Sequence, residues 1–142
     1  MKIIITLTLV LSSFIINAQE LSSDIKYGLK NDDVTALKRL LTSNNLNTCF
    51  NVGNSKYTLL NLTIKLNSEA CFELLLKEKV DVNKECTGKT PLMYAAKYGH
   101  LKIAKLLIKE GADVKIEYKE RTALTYASKY NKEDVYSYLK SL

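Results

Sequence analysis

The sequence is poor in the residues from which most catalytic and metal sites are built. Its 142 residues include a single histidine, His100, and three cysteines. His100 has no second histidine or cysteine at ligand spacing, so the zinc-binding motifs are excluded and a structural role is expected. The acidic pair Asp32-Asp33 has too few oxygen neighbours for a calcium loop. The sequence therefore predicts no enzyme, no metal and no cofactor.

Two short motifs resemble functional ones without their full pattern. Thr87-Gly88-Lys89-Thr90 resembles the end of a phosphate-binding loop, but the earlier glycine and the preceding strand are missing. Asn61-Leu62-Thr63 matches a glycosylation triplet but falls within a predicted helix whose neighbours pack. We expect neither motif to be functional.

The N-terminal segment, 1–18, differs from the rest of the chain. Lys2 is a short basic start, the apolar run Ile3 to Ile16 follows, and Ala18 is a small residue suited to cleavage. A membrane anchor needs about 20 apolar residues. This run is shorter and contains threonine and serine, and no cysteine follows it for lipid attachment. Residues 1–18 are therefore predicted to be a signal peptide, and 19–142 a periplasmic or secreted protein without stable membrane insertion.

The remaining composition is that of a globular soluble protein with a mildly basic surface. Hydrophobic residues make up 46% and charged residues 25%. The formal charge is +6, and removal of Lys2 leaves +5. Such a charge favours encounters with acidic partners without identifying one. Basic residues alternate with acidic ones, and export removes most nucleic acid, so a nucleic-acid partner is not expected.

The most regular stretch, Thr87 to Val114, reads as two helices joined by a turn. Thr90 and Pro91 begin the first helix, where the missing N–H of proline costs nothing. Gly99 breaks it. A wide apolar stripe from Leu101 forms the second helix, and Gly111 supplies a left-handed end.

This unit recurs at a constant period in both directions along the chain. The N-terminal unit is less regular, with Ser23 as its helix cap, Ile25 and Leu29 facing inward, and one extra turn residue at Asp32-Asp33. Equivalent positions in the other three units are Thr58, Thr90 and Thr122; Leu60, Leu92 and Leu124; Leu75, Leu107 and Leu139; and the turn residues Asn67, Gly99 and Asn131.

The pattern TPLMYAA, GH, LL and GADV closely resembles the ankyrin repeat. The resemblance implies an all-α ankyrin-repeat solenoid of about four helix-turn-helix units, at 22–48, 54–83, 87–116 and 119–142, joined by short finger loops. Two departures stand out. Lys79 occupies the position of Gly111, which predicts a strained and less regular helix end. The finger from Asn47 to Tyr57 is one residue longer, which predicts a longer or looser loop.

The cysteines meet an oxidising compartment if the chain is exported. An odd count leaves at least one free thiol, and Cys71 falls in a helix stripe as a small hydrophobic residue. Cys49 and Cys86 lie in successive fingers, and their pairing is left open. Stacked helices lie about 8 to 10 Å apart, whereas a disulfide needs Cα atoms within about 7 Å. This spacing argues against the bond.

The resemblance also implies a binding surface. In the family, the concave face is formed by finger tips and by the last exposed residues of each first helix. By position, the implied partner-binding residues are Tyr57, Lys65, Lys89, Lys97, Tyr98, Tyr118, Lys119, Arg121, Lys129 and Tyr130. Tyrosine and arginine are enriched in binding hot spots. The alternative is that these lysines only solvate the helices and the tyrosines only pack between repeats.

The sequence therefore predicts an exported, monomeric, non-catalytic module that binds another protein with an acidic patch. One alternative is an inhibitor or immunity protein that blocks a secreted effector. Another is a structural or stress-protective envelope protein. Fold alone does not decide among them.

Overall fold

The computed structural model of the chain describes residues 20–142, so the predicted signal peptide lies outside the described residues. Within this range the chain forms four helix pairs and one β-hairpin, and it has no helix long and apolar enough to cross a membrane. The elements are α1 Ser23–Lys30, α2 Val34–Leu40, β1 Phe50–Val52, β2 Ser55–Tyr57, α3 Leu59–Leu66, α4 Glu69–Lys77, α5 Pro91–Tyr98, α6 Leu101–Lys109, α7 Ala123–Lys129 and α8 Glu133–Lys140.

Each first helix begins at a hydroxyl residue that caps it. The Thr90 Oγ1 accepts a hydrogen bond from the Met93 N–H at 3.3 Å, and Thr58 and Thr122 make the equivalent bonds. Such a cap satisfies one of the backbone donors left unpaired at a helix start. In the first unit the cap is Ser22, whose Oγ accepts from the Ile25 N–H, so the predicted cap was misplaced by one residue.

The turns within each helix pair are left-handed at one residue. The φ angle is 53° at Asp32, 57° at Asn67, 78° at Gly99 and 53° at Asn131. Asparagine, aspartate and glycine tolerate this conformation best, which is why these residue types recur here. Lys79 also adopts it, with φ of 60°. The helix before Lys79 is nevertheless as long as α6, so the predicted irregularity is wrong.

The core lies between the helix layers and is continuous through the stack. The first helices contact one another in the order α1, α3, α5, α7. The repeated leucines Leu60, Leu75, Leu92 and Leu107 are fully or almost fully buried, whereas Leu124 in the last unit is half-buried. A terminal unit has a neighbour on one side only, and its outer face therefore meets water.

The finger before α3 is a hairpin rather than a loose loop. β1 and β2 pair antiparallel, with Phe50 opposite Tyr57 and Val52 opposite Ser55. Gly53, with φ of 60°, supplies the left-handed residue in the connecting turn. Phe50 is buried and anchors the strand in the core. The extra length expected from the sequence is therefore used to form a pair of ordered strands.

Cys49 and Cys86 form a disulfide, with Cα atoms 5.6 Å apart, so the spacing argument against the bond was wrong. The fingers of neighbouring units approach more closely here than the stacked helices do. The segment before the hairpin instead crosses towards the next finger, where the Asn47 side-chain oxygen accepts from the Asp81 N–H at 2.8 Å. Cys71 is buried and has a free thiol, as predicted.

Asp32 links the first two units by capping a helix of the next unit. Its carboxylate oxygens accept hydrogen bonds from the Ala70 N–H at 3.0 Å and the Cys71 N–H at 2.8 Å, at the start of α4. The N-cap residue of α4, Ser68, makes no such cap and instead donates its hydroxyl hydrogen to the Leu29 carbonyl. Partial burial alone would raise the pKa of Asp32, but the two N–H donors outweigh it and lower the pKa below 3.8.

We expect Asp32→Ala to lower the free energy of unfolding by about 0.5 to 2 kcal/mol through loss of this cap. Because the folded-state pKa is depressed, the contribution of the charge is present above pH 3.8 and is lost as pH falls through the folded value. Urea titrations of the wild type and Asp32→Asn, which keeps a left-handed-tolerant residue, should therefore differ at pH 7 and converge in strong acid. A difference that persists unchanged at low pH would contradict the charged cap.

Candidate partner-binding surface

Two pairs of tyrosines run along the first helices of units three and four. The Tyr94 and Tyr98 rings lie 6.5 Å apart with planes 12° apart, and the Tyr126 and Tyr130 rings lie 6.3 Å apart with planes 4° apart. Residues four apart on a helix occupy the same face, which produces this stacking. Tyr57, at the end of β2, continues the series because its ring centroid lies 5.8 Å from that of Tyr94.

Lysine ammonium groups lie over Tyr57, Tyr98 and Tyr130, the solvent-accessible members of this series. Lys65 Nζ is 4.6 Å from the centre of the Tyr57 ring and 3.2 Å from its hydroxyl oxygen. Lys97 Nζ is 5.3 Å from the Tyr98 ring centre and 5.4 Å from that of Tyr130, so it joins units three and four. Cations within about 6 Å of an aromatic ring are attracted to its face.

These contacts define one surface on α3, α5 and α7. Lys129 completes it, with its Nζ 5.8 Å from the Tyr130 ring centre. We call the set the Tyr/Lys surface, and its members are Tyr57, Lys65, Lys97, Tyr98, Lys129 and Tyr130. The resemblance implied that all six lie on one face, Tyr57 as a finger residue and the other five by repeat position, and the structure brings them together there.

A second group lies on the fingers. Lys89 and Lys119 lie 5.2 Å and 5.3 Å from the centre of the Tyr118 ring, and we call these three residues the finger cluster. The ring covers Gly88 so closely that a Cβ there would overlap it, so only glycine fits. Arg121 is exposed and exchanges backbone hydrogen bonds with Tyr118, which closes the turn.

The protonation of the tyrosines follows from these neighbours. Burial raises the pKa of Tyr94 to about 12. Partial burial would also raise the pKa of Tyr57, but the hydrogen bond from Lys65 and the charges of Lys65 and Lys89 outweigh it and lower the pKa. Since Lys65 donates to the Tyr57 oxygen, the phenolic hydrogen is left to donate to another acceptor. A carboxylate of a partner would suit that donor.

Sequence reasoning missed two supporting residues. Tyr94 and Tyr126 are 5% and 3% exposed, so they hold the outer rings in place rather than contact a partner. The signal that could have found them is their position one helical turn before Tyr98 and Tyr130. Among the three tyrosines of the Tyr/Lys surface, Tyr130 is the most exposed, at 38%, whereas Tyr57 and Tyr98 are half-buried.

His100 lies beside the Tyr/Lys surface. It is half-buried at the turn between α5 and α6, and its ring lies 6.1 Å from that of Tyr98. Burial lowers the pKa of His100, and the backbone of Ile64 and the charge of Glu69, both in the preceding unit, oppose this effect without reversing it. Across residues 20–142, no three His, Cys, Asp or Glu side chains are grouped where they could hold a metal ion. Asn61 of the glycosylation-like triplet is buried in α3.

Two lysines of α6, the second helix of unit three, contact side chains of neighbouring helices. Lys102 forms ion pairs with Glu69 at 2.7 Å and Glu73 at 3.2 Å, which tie α6 to α4. Lys105 lies over the Tyr138 ring at 5.6 Å. Lys102 and Lys105 thus contact side chains of neighbouring helices on the outer side, whereas the lysines of the Tyr/Lys surface lie over its own tyrosines.

Comparison with known proteins agrees with the repeat architecture. The family model for ankyrin repeats matches residues 25–118 as three copies. No curated protein matches the chain. The α7–α8 pair follows the matched region and packs against α5 as a further unit. The chain therefore belongs to the ankyrin repeat family, whose members serve as protein–protein interaction modules.

Proposed function

We propose that this chain is an exported binding protein that recognises an acidic, partly apolar patch of a partner protein through the Tyr/Lys surface. The observation that carries the proposal is the position of Lys97, whose ammonium lies between the Tyr98 and Tyr130 rings of two units. Aromatic rings bury a large area at low entropic cost, and the ammonium groups between them supply charge for carboxylates.

The finger cluster adds further lysine–tyrosine contacts outside the helices. Lys89 lies over the Tyr118 ring, and its charge contributes to lowering the pKa of Tyr57. Together with the exposed Arg121, the two lysines of the finger cluster add positive charge beside Tyr118. A partner that covers both regions would need carboxylates spread over more than one repeat.

Identification of the partner is the first step of the test. The oxidised mature chain, immobilised through its C-terminus, is exposed to envelope and culture-supernatant extracts, and retained proteins are quantified. The proposal requires a partner retained in a fixed ratio. Capture of an enzyme whose activity is then lost would specify the inhibitor role, and the absence of any stoichiometric partner would favour a structural envelope protein.

With the partner in hand, we expect Tyr98→Ala and Tyr130→Ala each to weaken binding by about 1 to 2 kcal/mol, mainly through faster dissociation. The double variant Lys97→Glu, Lys129→Glu should instead slow association and flatten its dependence on salt. Surface plasmon resonance at several salt concentrations measures both effects.

The matched control is Lys77→Glu with Lys109→Glu. These lysines are exposed at equivalent positions of α4 and α6, one repeat apart as Lys97 and Lys129 are, so the change in net charge and the spacing are the same. If this pair weakens binding as much as the Lys97 and Lys129 pair does, the positive charge acts only as a general field and the Tyr/Lys surface is not the binding site.

Export rests on the sequence of residues 1–18 and is supported by the Cys49–Cys86 disulfide, since such bonds persist mainly in oxidising compartments. We expect the native protein to begin at Gln19. The intact mass of protein purified from its own cells checks this. A cytosolic protein that retains Met1 to Ala18 would contradict the proposal of export and leave the binding measurement unaffected.

A further inference from the structure

An apolar groove of about 260 Å³ lies beside the Tyr/Lys surface, between α1 and α3. Its floor consists of the buried side chains of Leu21, Leu29 and Leu62, and Val52 of the hairpin and Leu66 form its rim. Leu66 is 46% exposed. An apolar floor that opens to solvent can receive an aliphatic side chain of another molecule.

Leu66 continues the row formed by Tyr98 and Tyr130. It lies one repeat before Tyr98 and two repeats before Tyr130, at the last position of the first helix in its unit. Lys65 precedes it as Lys97 and Lys129 precede the tyrosines. In unit two, a leucine and a groove therefore replace the ring that units three and four present.

Three lysines complete the groove, and none of the residues that line it is acidic. Lys26 and Lys30 are exposed one turn apart on α1, and Lys65 faces them from α3. Lys65 also contacts Tyr57, and all three lysines are exposed, so their positive charge would attract carboxylates placed beside an apolar group. The groove is also smaller than the roughly 300 to 1,000 Å³ typical of small-molecule sites, so it suits one or two side chains.

We propose that this groove binds a short peptide segment of the partner in which one or two leucine-like side chains are flanked by carboxylates. The aliphatic side chains occupy the floor, and the carboxylates pair with Lys26, Lys30 and Lys65. This inference rests on the proposed function, because the groove lies at one end of the Tyr/Lys surface and would bind a segment of the same partner.

The probe is a capped, fluorescently labelled hexapeptide with two central leucines and two glutamates on each side, titrated against the full oxidised chain by fluorescence anisotropy. Leu66→Ser should weaken binding about fivefold through loss of the apolar rim. Lys30→Glu should weaken it about tenfold, since a charge pair becomes a repulsion. Replacement of the glutamates in the peptide by lysines should abolish binding.

The matched controls are Leu142→Ser, a change at another exposed leucine, and Lys109→Glu on the outer face. Both should bind the peptide as the wild type does. Leu66 and Lys30 are exposed, so their variants should fold, and thermal melts verify this. The proposal is overturned if the lysine-containing peptide binds equally well or if Leu66→Ser has no effect. It is also overturned if decanoate binds in a Leu66-dependent manner while the peptide does not, because the groove would then be a fatty-acid site.

This test is separate from that of the Tyr/Lys surface. It uses a synthetic peptide and no tyrosine variant, whereas the partner measurement uses Tyr98 and Tyr130 variants. Loss of the groove proposal would leave the partner-binding proposal standing, and a partner insensitive to both tyrosines would leave the peptide result standing.

Discussion

Replacement of Leu107 by alanine is expected to lower the free energy of unfolding by about 2 to 5 kcal/mol. Leu107 is fully buried on α6, where the helix layers of units three and four meet. The smaller side chain loses the transfer free energy of the removed atoms and leaves a cavity that packed helices fill only in part. Urea or guanidinium titration followed by circular dichroism measures the loss.

Lys109→Ala is the control, because Lys109 is exposed near the end of the same helix and alanine has a high helix propensity. We expect its stability to stay within about 0.5 kcal/mol of the wild type. Equal losses at both positions, or none at Leu107, would mean that the helices are stacked in a different register.

Removal of the disulfide is the second large effect. The double variant Cys49→Ser, Cys86→Ser should be about 4 kcal/mol less stable than the oxidised wild type, because the bond closes a loop with a sequence separation of 37 residues and so restricts the unfolded chain. Guanidinium titrations of both proteins, each with and without a reducing agent, measure the difference.

The reducing agent supplies the control. It should destabilise the wild type by about the same amount. It should leave the double variant unchanged, since Cys71 is the only cysteine that remains and its buried thiol has a pKa raised to about 12, chiefly by burial. A wild type whose stability does not respond to reduction would contradict the presence of the bond in solution.

The arrangement of the Tyr/Lys surface was predictable where it depended on the repeat period. Lys97 lies near Tyr130 as well as Tyr98 because equivalent residues of stacked units are aligned, and the period that makes them equivalent is visible in the sequence. The role of Lys102 was not predictable in the same way. Its pairing with Glu69 and Glu73 depends on side-chain positions across two helices, and an exposed lysine has many alternatives of similar energy.

Local rules explain what the sequence by itself determined. A threonine before each first helix of units two to four caps it, and an asparagine or glycine at each of their turns adopts positive φ, because both effects involve residues only a few positions apart. The apolar spacing of each helix likewise determines which leucines are buried. These features establish the helix pairs, their number and the order in which they stack.

Only the tertiary structure decided the features that join residues distant in sequence. The Cys49–Cys86 bond, the Asp32 cap on α4 and the groove under Leu66 each need two segments from different units to lie within a few ångströms of each other. The disulfide and the groove depend on the hairpin segment, which brings Cys49 towards the next finger and Val52 over α3. Contacts of this kind depend on the conformation of a loop. Many loop conformations allow the backbone N–H and C=O groups to form hydrogen bonds, and the repeat period does not select one of them.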